Sequence, residues 1–345
     1  MFPGEYKYSS LIYLNRQNPI LALRCSGFPR NGAIHRSKIR PGQSILKKSD
    51  PRLPSSKVPA LTFSVRDLFD LQPVGGAYLA GRGQGNFSGR VYGGQMLGQA
   101  LAAASAVASA GQAAHAIHAH FLEAGDASAP IRYAVFPLRE GASSSVHRVE
   151  ARQGRAAIFH ATCAFARERP GVDWGHQSDP PAVAPPERCA DVTDFVRGAR
   201  ARLSEDVVRR YGAPMPLERR LADPEGFFFG SGERSLAIWL RLPDGAAMED
   251  DAVRRCAIAY LSDAWVVRGA LAGHPPVAAA SGARLLSLDH AVWIHAAPPL
   301  DGWLLYAVDS PYAGGGRGLG QGRLYDRAGR LIATAAQEGL VVPPR

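Results

Sequence analysis

The sequence is poor in cysteine and has no long apolar run. Its four cysteines lie far apart in the sequence and form no CxxC pair. This usage is typical of reduced thiols and favours a cytoplasmic compartment. We expect neither a metal nor another cofactor. The longest stretch of small apolar residues, 100–110, is interrupted by Ser105 and Ser109. A membrane-spanning helix needs about 20 apolar residues, so we expect none.

Net charge is also small once the N-terminus is set aside. The 345 residues carry a formal net charge of +10. Residues 1–57 hold eleven Lys or Arg and two acidic residues, which leaves residues 58–345 with a net charge of +1. Binding to a phosphate backbone needs a strongly basic face, so the sequence argues against nucleic acid as a partner.

With 46% apolar and 20% charged residues, the chain is long enough for two core-bearing domains.

The first 57 residues differ in composition from the rest. They contain only two alanines, whereas the remainder is rich in Ala, Arg, Gly and Pro. The segment lacks an apolar core followed by a small-residue cleavage site, so a secretory signal fits poorly. It is compatible with an organelle transit peptide, a disordered basic tail, or translated sequence that precedes a true start near Val58. We exclude it from the fold prediction.

The remainder contains an internal duplication. An RxGR turn followed by a strand-like run occurs at residues 152–162 and again at residues 327–337. Further strand-like pieces and one helix precede each copy, the helix near Gln95–Ala110 in the first and near Ala252–Ala270 in the second. This repeated order predicts an α+β fold of two similar units. The predicted units are residues 58–169 and 231–345, joined by a Pro- and charge-rich linker, 170–230, with a short helix near Asp191–Tyr211.

Familiar catalytic signatures are missing. Residues 58–345 contain no GxSxG, SxxK or HExxH motif. Glycine clusters occur at residues 81–85 and 314–320. Neither lies between a strand and a helix with a ribose-binding acid further along the chain, so we interpret both as turns rather than as a nucleotide site.

Asp263 is unusual because its predicted helix is apolar on all sides. Ile258, Leu261 and Trp265 form one apolar row, and the opposite row is apolar too. We expect this helix to be buried. A carboxylate in such low dielectric either has a raised pKa suited to chemistry or pairs with an arginine or with backbone amides. The first helix contains no Asp or Glu, so the two units are chemically unequal.

Other polar residues are less distinctive by pattern alone. Gln337 ends an alternating run of small apolar residues, and its amide either completes a cavity wall or emerges into solvent at a strand end. Ser287 is an ordinary strand serine. Histidines on strand-like segments are candidate acid–base groups, although a satisfied core or surface histidine is the commoner case. These are His115, His118, His120, His290 and His295.

Motifs in both units resemble the acyl-CoA thioesterase II (TesB-like) family. In the first unit they are Val91-Tyr-Gly-Gly-Gln-Met-Leu-Gly-Gln-Ala100 and the run His115–Asp126. In the second unit they are Tyr260-Leu-Ser-Asp263, Ser287-Leu-Asp-His-Ala-Val-Trp-Ile-His295 and Ala336-Gln-Glu-Gly339. The resemblance covers about residues 60–345, in order and without large gaps. The combination is far more specific than any single motif.

This resemblance implies a double hotdog, in which each of two fused units wraps an antiparallel sheet around a long helix. It also implies hydrolysis of fatty acyl-CoA to a fatty acid and CoA, with catalytic positions that fall on Asp263, Ser287 and Gln337. Water would attack the thioester directly, with Asp263 as general base and the other two side chains holding the water. Backbone N–H groups at a helix start suit an oxyanion, which makes Gly94 and Gln95 candidate substrate-binding residues.

Two departures and two alternatives qualify this interpretation. Ser287 stands where many family members have Thr, and Trp265 is larger than expected so close to Asp263, where it would reshape an acyl tunnel. One alternative is a non-catalytic acyl-thioester-binding double hotdog; the other is a hydratase or dehydratase that uses a histidine and a carboxylate. The family resemblance further implies a homodimer or homotetramer, formed by pairing of sheet edges.

Overall fold

The computed structural model describes residues 64–80, 89–169, 171, 175–213, 215–230, 233–274 and 279–342. The interpretations of residues 1–57 and of the glycine cluster at 81–85 lie outside the described residues. Within the described part of the chain, no helix is long and apolar enough to cross a membrane. The three described cysteines are free.

The first half of the described chain contains one long helix and six strands. The strands alternate between inward and outward side chains, as β5 shows with its inward Ser145, His147, Val149 and Ala151. The elements are β1 (Gln72–Val74), β2 (Ala77–Ala80), α1 (Gly93–Ser105), β3 (Ala113–Phe121), β4 (Ile131–Glu140), β5 (Ser144–Gln153) and β6 (Ala156–Ala166).

The second half contains a buried helix, three shorter helices and eight strands. Its elements are β7 (Ala190–Asp191), α2 (Val192–Gly198), α3 (Glu205–Gly212), β8 (Glu218–Leu221), α4 (Pro224–Phe229), β9 (Ser235–Arg241), α5 (Asp251–Ser262), β10 (Arg284–Ser287), β11 (Asp289–Ile294), β12 (Leu304–Gly314), β13 (Arg317–Tyr325) and β14 (Leu331–Val342).

All fourteen described strands belong to one antiparallel sheet. Its order is β1-β2-β4-β5-β6-β3-β11-β14-β13-β12-β9-β8-β7, and β10 pairs with β14 beside this path. The order β2-β4-β5-β6-β3 in the first half is matched by β9-β12-β13-β14-β11 in the second, with the long helix after the first strand of each. The halves meet where β3 pairs with β11, and His120 lies opposite Asp289. The predicted duplication and α+β class are confirmed.

The helices α1 and α5 cross with their backbones in close contact. A Cβ added to Gly94 would lie 2.3 Å from the Tyr260 carbonyl oxygen, and one added to Gly98 would lie 2.9 Å from the Cys256 carbonyl oxygen. Both pairs are four residues apart, so one face of each helix meets the other. The approach brings the start of α1 to the end of α5.

The boundaries of both long helices differ from the sequence prediction. Helix α1 spans Gly93–Ser105 instead of Gln95–Ala110, and α5 ends at Ser262 instead of continuing to Ala270. Asp263 is therefore the C-cap residue of α5. Trp265 has a φ of 63°, a left-handed conformation through which the helix cannot continue.

A 3-10 helix, Val266–Leu271, follows the end of α5 and packs on β13. A Cβ on Gly320 would lie 2.0 Å from the Val266 carbonyl oxygen, and one on Gly318 would lie 2.4 Å from the Ala270 Cβ. Glycine at these inward positions of β13 lets the segment lie directly on the sheet.

The segment predicted as a linker has more structure than its composition suggested. Strand β8 pairs with β9 and extends the sheet, and β7 pairs with β8. Helices α2, α3 and α4 are capped by the side chains of Asp191, Ser204 and Asp223. Helical periodicity is weak in such short elements, which is why one helix was predicted where three form.

Candidate active site

The three side chains implied by the resemblance meet at one point of the fold. Asp263 follows the last residue of α5, Ser287 is the last residue of β10, and Gln337 lies in β14. The Gln337 Nε2 atom donates to Asp263 Oδ1 at 2.7 Å and to Ser287 Oγ at 3.0 Å. One amide therefore joins a carboxylate and a hydroxyl that are far apart in sequence.

Gln337 is buried because its strand presents it inward. Along β14, Ala333, Ala335 and Gln337 share the inward face, and Gln337 is 1% exposed. The alternative of an amide emerging into solvent at the strand end is therefore wrong. Its Oε1 atom is buried without a hydrogen-bond partner among the described residues. An unpaired buried acceptor costs about 1–3 kcal/mol, so this oxygen is poised to accept a hydrogen bond.

Asp263 has the electrostatics expected of a desolvated carboxylate. Its side chain is 8% exposed. Burial raises the pKa of Asp263 from 3.8 to about 7, although hydrogen bonds from Gln337 and from the Gly94 backbone pull in the opposite direction. A carboxyl group with this pKa exists in both protonation states near neutrality, which suits it to take up and release a proton.

The start of α1 supplies a second support for the acid. The Gly94 N–H donates to Asp263 Oδ2 at 2.8 Å. This N–H belongs to the first turn of a helix, where donors are unpaired and the helix dipole favours an anion. A Cβ on Gly93 would lie 2.8 Å from the same oxygen. Two successive glycines therefore let the carboxylate approach the helix start.

Gln95 points away from this contact. Its side chain is fully buried and donates to Gln99 Oε1 at 3.2 Å, and the same oxygen accepts a hydrogen bond from the Tyr133 hydroxyl at 2.8 Å. The structure thus places Gly94 at the acid and the Gln95 side chain in the core of the first half. Their assignment to substrate binding stays a prediction.

Two tyrosines that the sequence analysis did not single out hold the last turn of α5. The Tyr306 hydroxyl donates to the Ser262 carbonyl at 2.5 Å, and the Tyr92 hydroxyl donates to the Tyr260 carbonyl at 3.4 Å. Burial, then the charge of Asp263, raise the pKa of Tyr306 well above its usual value, so it stays a neutral donor. Carbonyl groups at the end of a helix have no partner within the helix and need such donors. That need was the signal by which these tyrosines could have been found from the sequence.

Of the five candidate histidines, the structure brings His290 to the acid. His290 Nε2 lies 2.9 Å from Ser262 Oγ, and its Nδ1 lies 3.9 Å from Asp263 Oδ1. This contact is not an ion pair, because burial lowers the pKa of His290 to about 3. Outside this contact, His115, His118 and His120 are exposed on β3, and His295 lies 2.9 Å from Thr334 Oγ1.

Trp265 packs on side chains of helices α3 and α4. Its ring centroid lies 4.9 Å from that of Phe227 and 5.7 Å from that of Tyr211, and the Arg219 guanidinium lies 5.0 Å above it. Helices α3 and α4 thereby contact the turn that follows Asp263. The influence of Trp265 on an acyl tunnel stays a prediction.

The described residues contain no group of three or more His, Cys, Asp and Glu side chains that could hold a metal ion. The chemistry available at the cluster is that of one carboxylate, one hydroxyl, one amide and neighbouring backbone N–H groups. Such a set can orient and deprotonate a water molecule.

Comparisons with known proteins agree with this fold. Residues 83–166 match the family model described as the acyl-CoA thioesterase N-terminal domain, and residues 186–341 match the C-terminal domain. Acyl-CoA thioesterase 2 of Haemophilus influenzae is 34% identical over 275 residues, which cover 79% of this chain and 95% of that protein.

Solved structures give the same result. Acyl-CoA thioesterase II TesB2 from Mycobacterium marinum has a TM-score of 0.65 at 27% identity and covers 81% of this chain and 99% of its own. A hot dog fold protein from Alicyclobacillus acidocaldarius has a TM-score of 0.66 at 18% identity, with coverage of 83% and 100%. The fold is therefore the double hotdog, and the protein class is that of the thioester hydrolases. The chain belongs to the acyl-CoA thioesterase II (TesB-like) family.

Proposed function

We propose that the protein hydrolyses fatty acyl-CoA to a free fatty acid and CoA, by direct attack of a water molecule held by Asp263, Ser287 and Gln337. The observation that carries the proposal is the single amide of Gln337 that bonds to both Asp263 Oδ1 and Ser287 Oγ. The names of the H. influenzae and M. marinum relatives support acyl-CoA as the substrate.

Asp263 is the general base in this mechanism. The water oxygen attacks the thioester carbonyl carbon while Asp263 takes one water proton. The carbon–sulfur bond then breaks, and the proton passes from Asp263 to the sulfur of the leaving CoA. The products are a carboxylic acid and CoA thiol, so no other reactant is required. The pKa of Asp263 near 7 favours both halves of this proton transfer.

Gln337 and Ser287 orient the water. Gln337 Nε2 is already committed to Asp263 and Ser287, whereas its buried Oε1 has no partner among the described residues. A water that donates one hydrogen to Gln337 Oε1 and the other to Asp263 would satisfy that acceptor and fix its lone pair toward the substrate. Ser287 Oγ accepts from Gln337, so its own hydrogen is free to be donated to the water oxygen.

The start of α1 is proposed to face the thioester carbonyl, with Gly94 and Gln95 contributing to substrate binding. The positive end of the helix dipole favours the developing oxyanion. In the structure the Gly94 N–H holds Asp263. This bond weakens when Asp263 becomes protonated, and the donor is then available to the oxyanion.

The direct test is thiol release from a panel of acyl-CoA substrates of short to long chain length. Wild-type protein should release CoA thiol, and Asp263→Asn should reduce the rate by about 10²-fold or more while still binding substrate. Binding of acyl-CoA without turnover by the wild-type protein would instead support the non-catalytic thioester-binding alternative. Hydration of an enoyl-CoA without thiol release would support the hydratase alternative.

We also propose a role in fatty acid metabolism, a cytoplasmic location and a homodimer or homotetramer. Exposed apolar side chains on strands of the sheet, including Phe136, Leu138 and Trp293, support self-association. Light scattering coupled to size-exclusion chromatography tests the oligomer. Expression of residues 58–345, the two predicted units with their linker, tests whether this part folds and is active by itself.

A further inference from the structure

A buried histidine lies beside the proposed general base and has no part in the mechanism above. His290 is 1% exposed and belongs to β11. Its Nε2 lies 2.9 Å from Ser262 Oγ, whereas its Nδ1 is buried with no hydrogen-bond partner among the described residues. That Nδ1 atom faces Asp263 Oδ1 at 3.9 Å. A buried polar atom without a partner needs a physical explanation.

The hydrogen bonds of Ser262 determine the tautomer of His290. A serine hydroxyl has one hydrogen, and Ser262 Oγ donates it to the Ala259 carbonyl at 2.8 Å. With its hydrogen on the Ala259 carbonyl, the Ser262 oxygen accepts the hydrogen of His290 Nε2. Because burial also keeps the ring neutral, with a pKa of about 3, Nδ1 carries a lone pair and no hydrogen.

The separation of 3.9 Å agrees with this tautomer. An ionised Asp263 and a bare Nδ1 are both acceptors, so no hydrogen bond can form between them and they stay apart. Once Asp263 carries a proton on Oδ1, the same pair becomes a donor and an acceptor. A movement of about 1 Å then gives a hydrogen bond of ordinary length.

We infer that His290 is a positioning residue, held as the Nε2–H tautomer by Ser262, that accepts a hydrogen bond from Asp263 only when Asp263 is protonated, as it becomes on taking the proton of the attacking water. This inference rests on the proposed hydrolysis. The proton passes from water to Asp263 and then to the CoA sulfur, and His290 keeps its own protonation state throughout.

The two states of Asp263 thus have different partners. The ionised state is stabilised by donors, the Gly94 N–H and Gln337 Nε2, and the protonated state by the acceptor Nδ1. The reaction starts from ionised Asp263, so an interaction gained when Asp263 takes the proton lowers the barrier without tightening substrate binding. The neutral hydroxyls of Tyr92 and Tyr306 also interact electrostatically with Asp263, and Arg219 interacts electrostatically with Tyr92.

Three variants separate this role from simple packing. In His290→Gln, the amide nitrogen reaches the position of Nε2 and still donates to Ser262, but no acceptor faces Asp263. In His290→Asn, the shorter amide lies at the position of Nδ1 and can present an acceptor. In Ser262→Ala, the ring is free to place its hydrogen on Nδ1, from where it would donate to the ionised Asp263.

The readouts are kcat, KM and the pH profile of kcat/KM, with thermal unfolding as a check on folding. We expect His290→Gln to lower kcat about tenfold with KM little changed. Its acidic limb should move to lower pH, because removing an acceptor beside Asp263 favours the ionised form. Ser262→Ala should move the limb in the same direction, and His290→Asn should recover part of the kcat lost in His290→Gln.

A purely structural role predicts a lower unfolding temperature with no movement of the acidic limb. If folded His290→Gln has the wild-type limb and a kcat within twofold of wild type, the inference is wrong. If His290→Gln fails to fold, the limb of Ser262→Ala decides in the same way. A nitrogen NMR spectrum of histidine-labelled wild-type protein gives an independent answer, since a protonated Nδ1 near neutral pH would overturn the assignment. Absence of turnover in wild-type protein would instead remove the proposed function itself.

Discussion

Asp263→Asn should reduce hydrolysis by about 10²-fold or more and stabilise the protein at high pH. The asparagine is nearly the same size, and its amide oxygen can still accept from the Gly94 N–H. The Gln337 amide can turn so that its Oε1 accepts from the new amide nitrogen. The hydrogen bonds of the cluster are therefore retained, and the main change is the loss of a buried ionisable group.

The magnitude follows from the pKa of Asp263, which burial raises from 3.8 to about 7. Between pH 5 and pH 7 the carboxyl is ionised in the unfolded chain and largely protonated in the folded one. The folded state therefore binds more protons, and the free energy of unfolding falls as pH rises, by about 1.4 kcal/mol per pH unit. The wild-type protein should lose about 3 kcal/mol between pH 5 and pH 8 through this one group. The variant should not.

The assay is urea unfolding of both proteins at pH 5 and pH 8, followed by tryptophan fluorescence, with thiol release measured on the same samples. The stability difference between variant and wild type should grow by about 3 kcal/mol from the lower to the higher pH. Asp301→Asn, at an exposed position, controls for a general charge effect. Equal pH dependence of wild type and Asp263→Asn would refute the reasoning, whatever happens to activity.

Three further substitutions test other parts of the site. Gly94→Ala places a Cβ 2.3 Å from the Tyr260 carbonyl oxygen and should cost about 1–3 kcal/mol of stability while separating the Gly94 N–H from Asp263. The control Gly98→Ala should lose stability without moving the acidic limb of the pH profile. Equal acidic limbs in both variants would contradict this prediction. Gln337→Met removes one hydrogen-bond donor from Asp263, so kcat should fall about 10²-fold and the acidic limb of the pH profile should move to higher pH. Movement of that limb to lower pH would contradict the prediction. Tyr306→Phe leaves the Ser262 carbonyl without its donor and should cost about 1–3 kcal/mol by urea unfolding, which an unchanged midpoint would exclude.

Local pattern in the sequence was sufficient for the duplication. The RxGR turns became the β5–β6 and β13–β14 connections, where Gly154 and Gly329 have φ values of 58° and 85° that favour glycine. The burial of Asp263 could also be predicted, because this residue interrupts a helix that is apolar on all sides, whereas the pattern around Gln337 left burial and exposure both open. Ser287 interrupts no pattern, so its candidacy came from the family resemblance alone.

Contacts between distant parts of the chain could not be read in this way. The bond from the Gly94 N–H to Asp263 joins residues 169 positions apart. Periodicity also placed Asp263 within a continuing helix, because it is blind to the left-handed Trp265 that follows. The tautomer of His290 depends on Ser262 and on a carbonyl three residues before it, and such a relay has no signature in composition or spacing.

The glycines of β13 also have a consequence for stoichiometry. Their inward positions leave room for the 3-10 helix that carries the chain away from Asp263, as Gly318 and Gly320 show. The corresponding strand of the first half, β5, fills its inward positions with Ser145 and His147, so its sheet has no such room. Of the two halves, only the second therefore has room for the 3-10 helix that follows Asp263. A non-hydrolysable acyl-CoA analogue should titrate to one equivalent per chain, half the number that two equal units would bind.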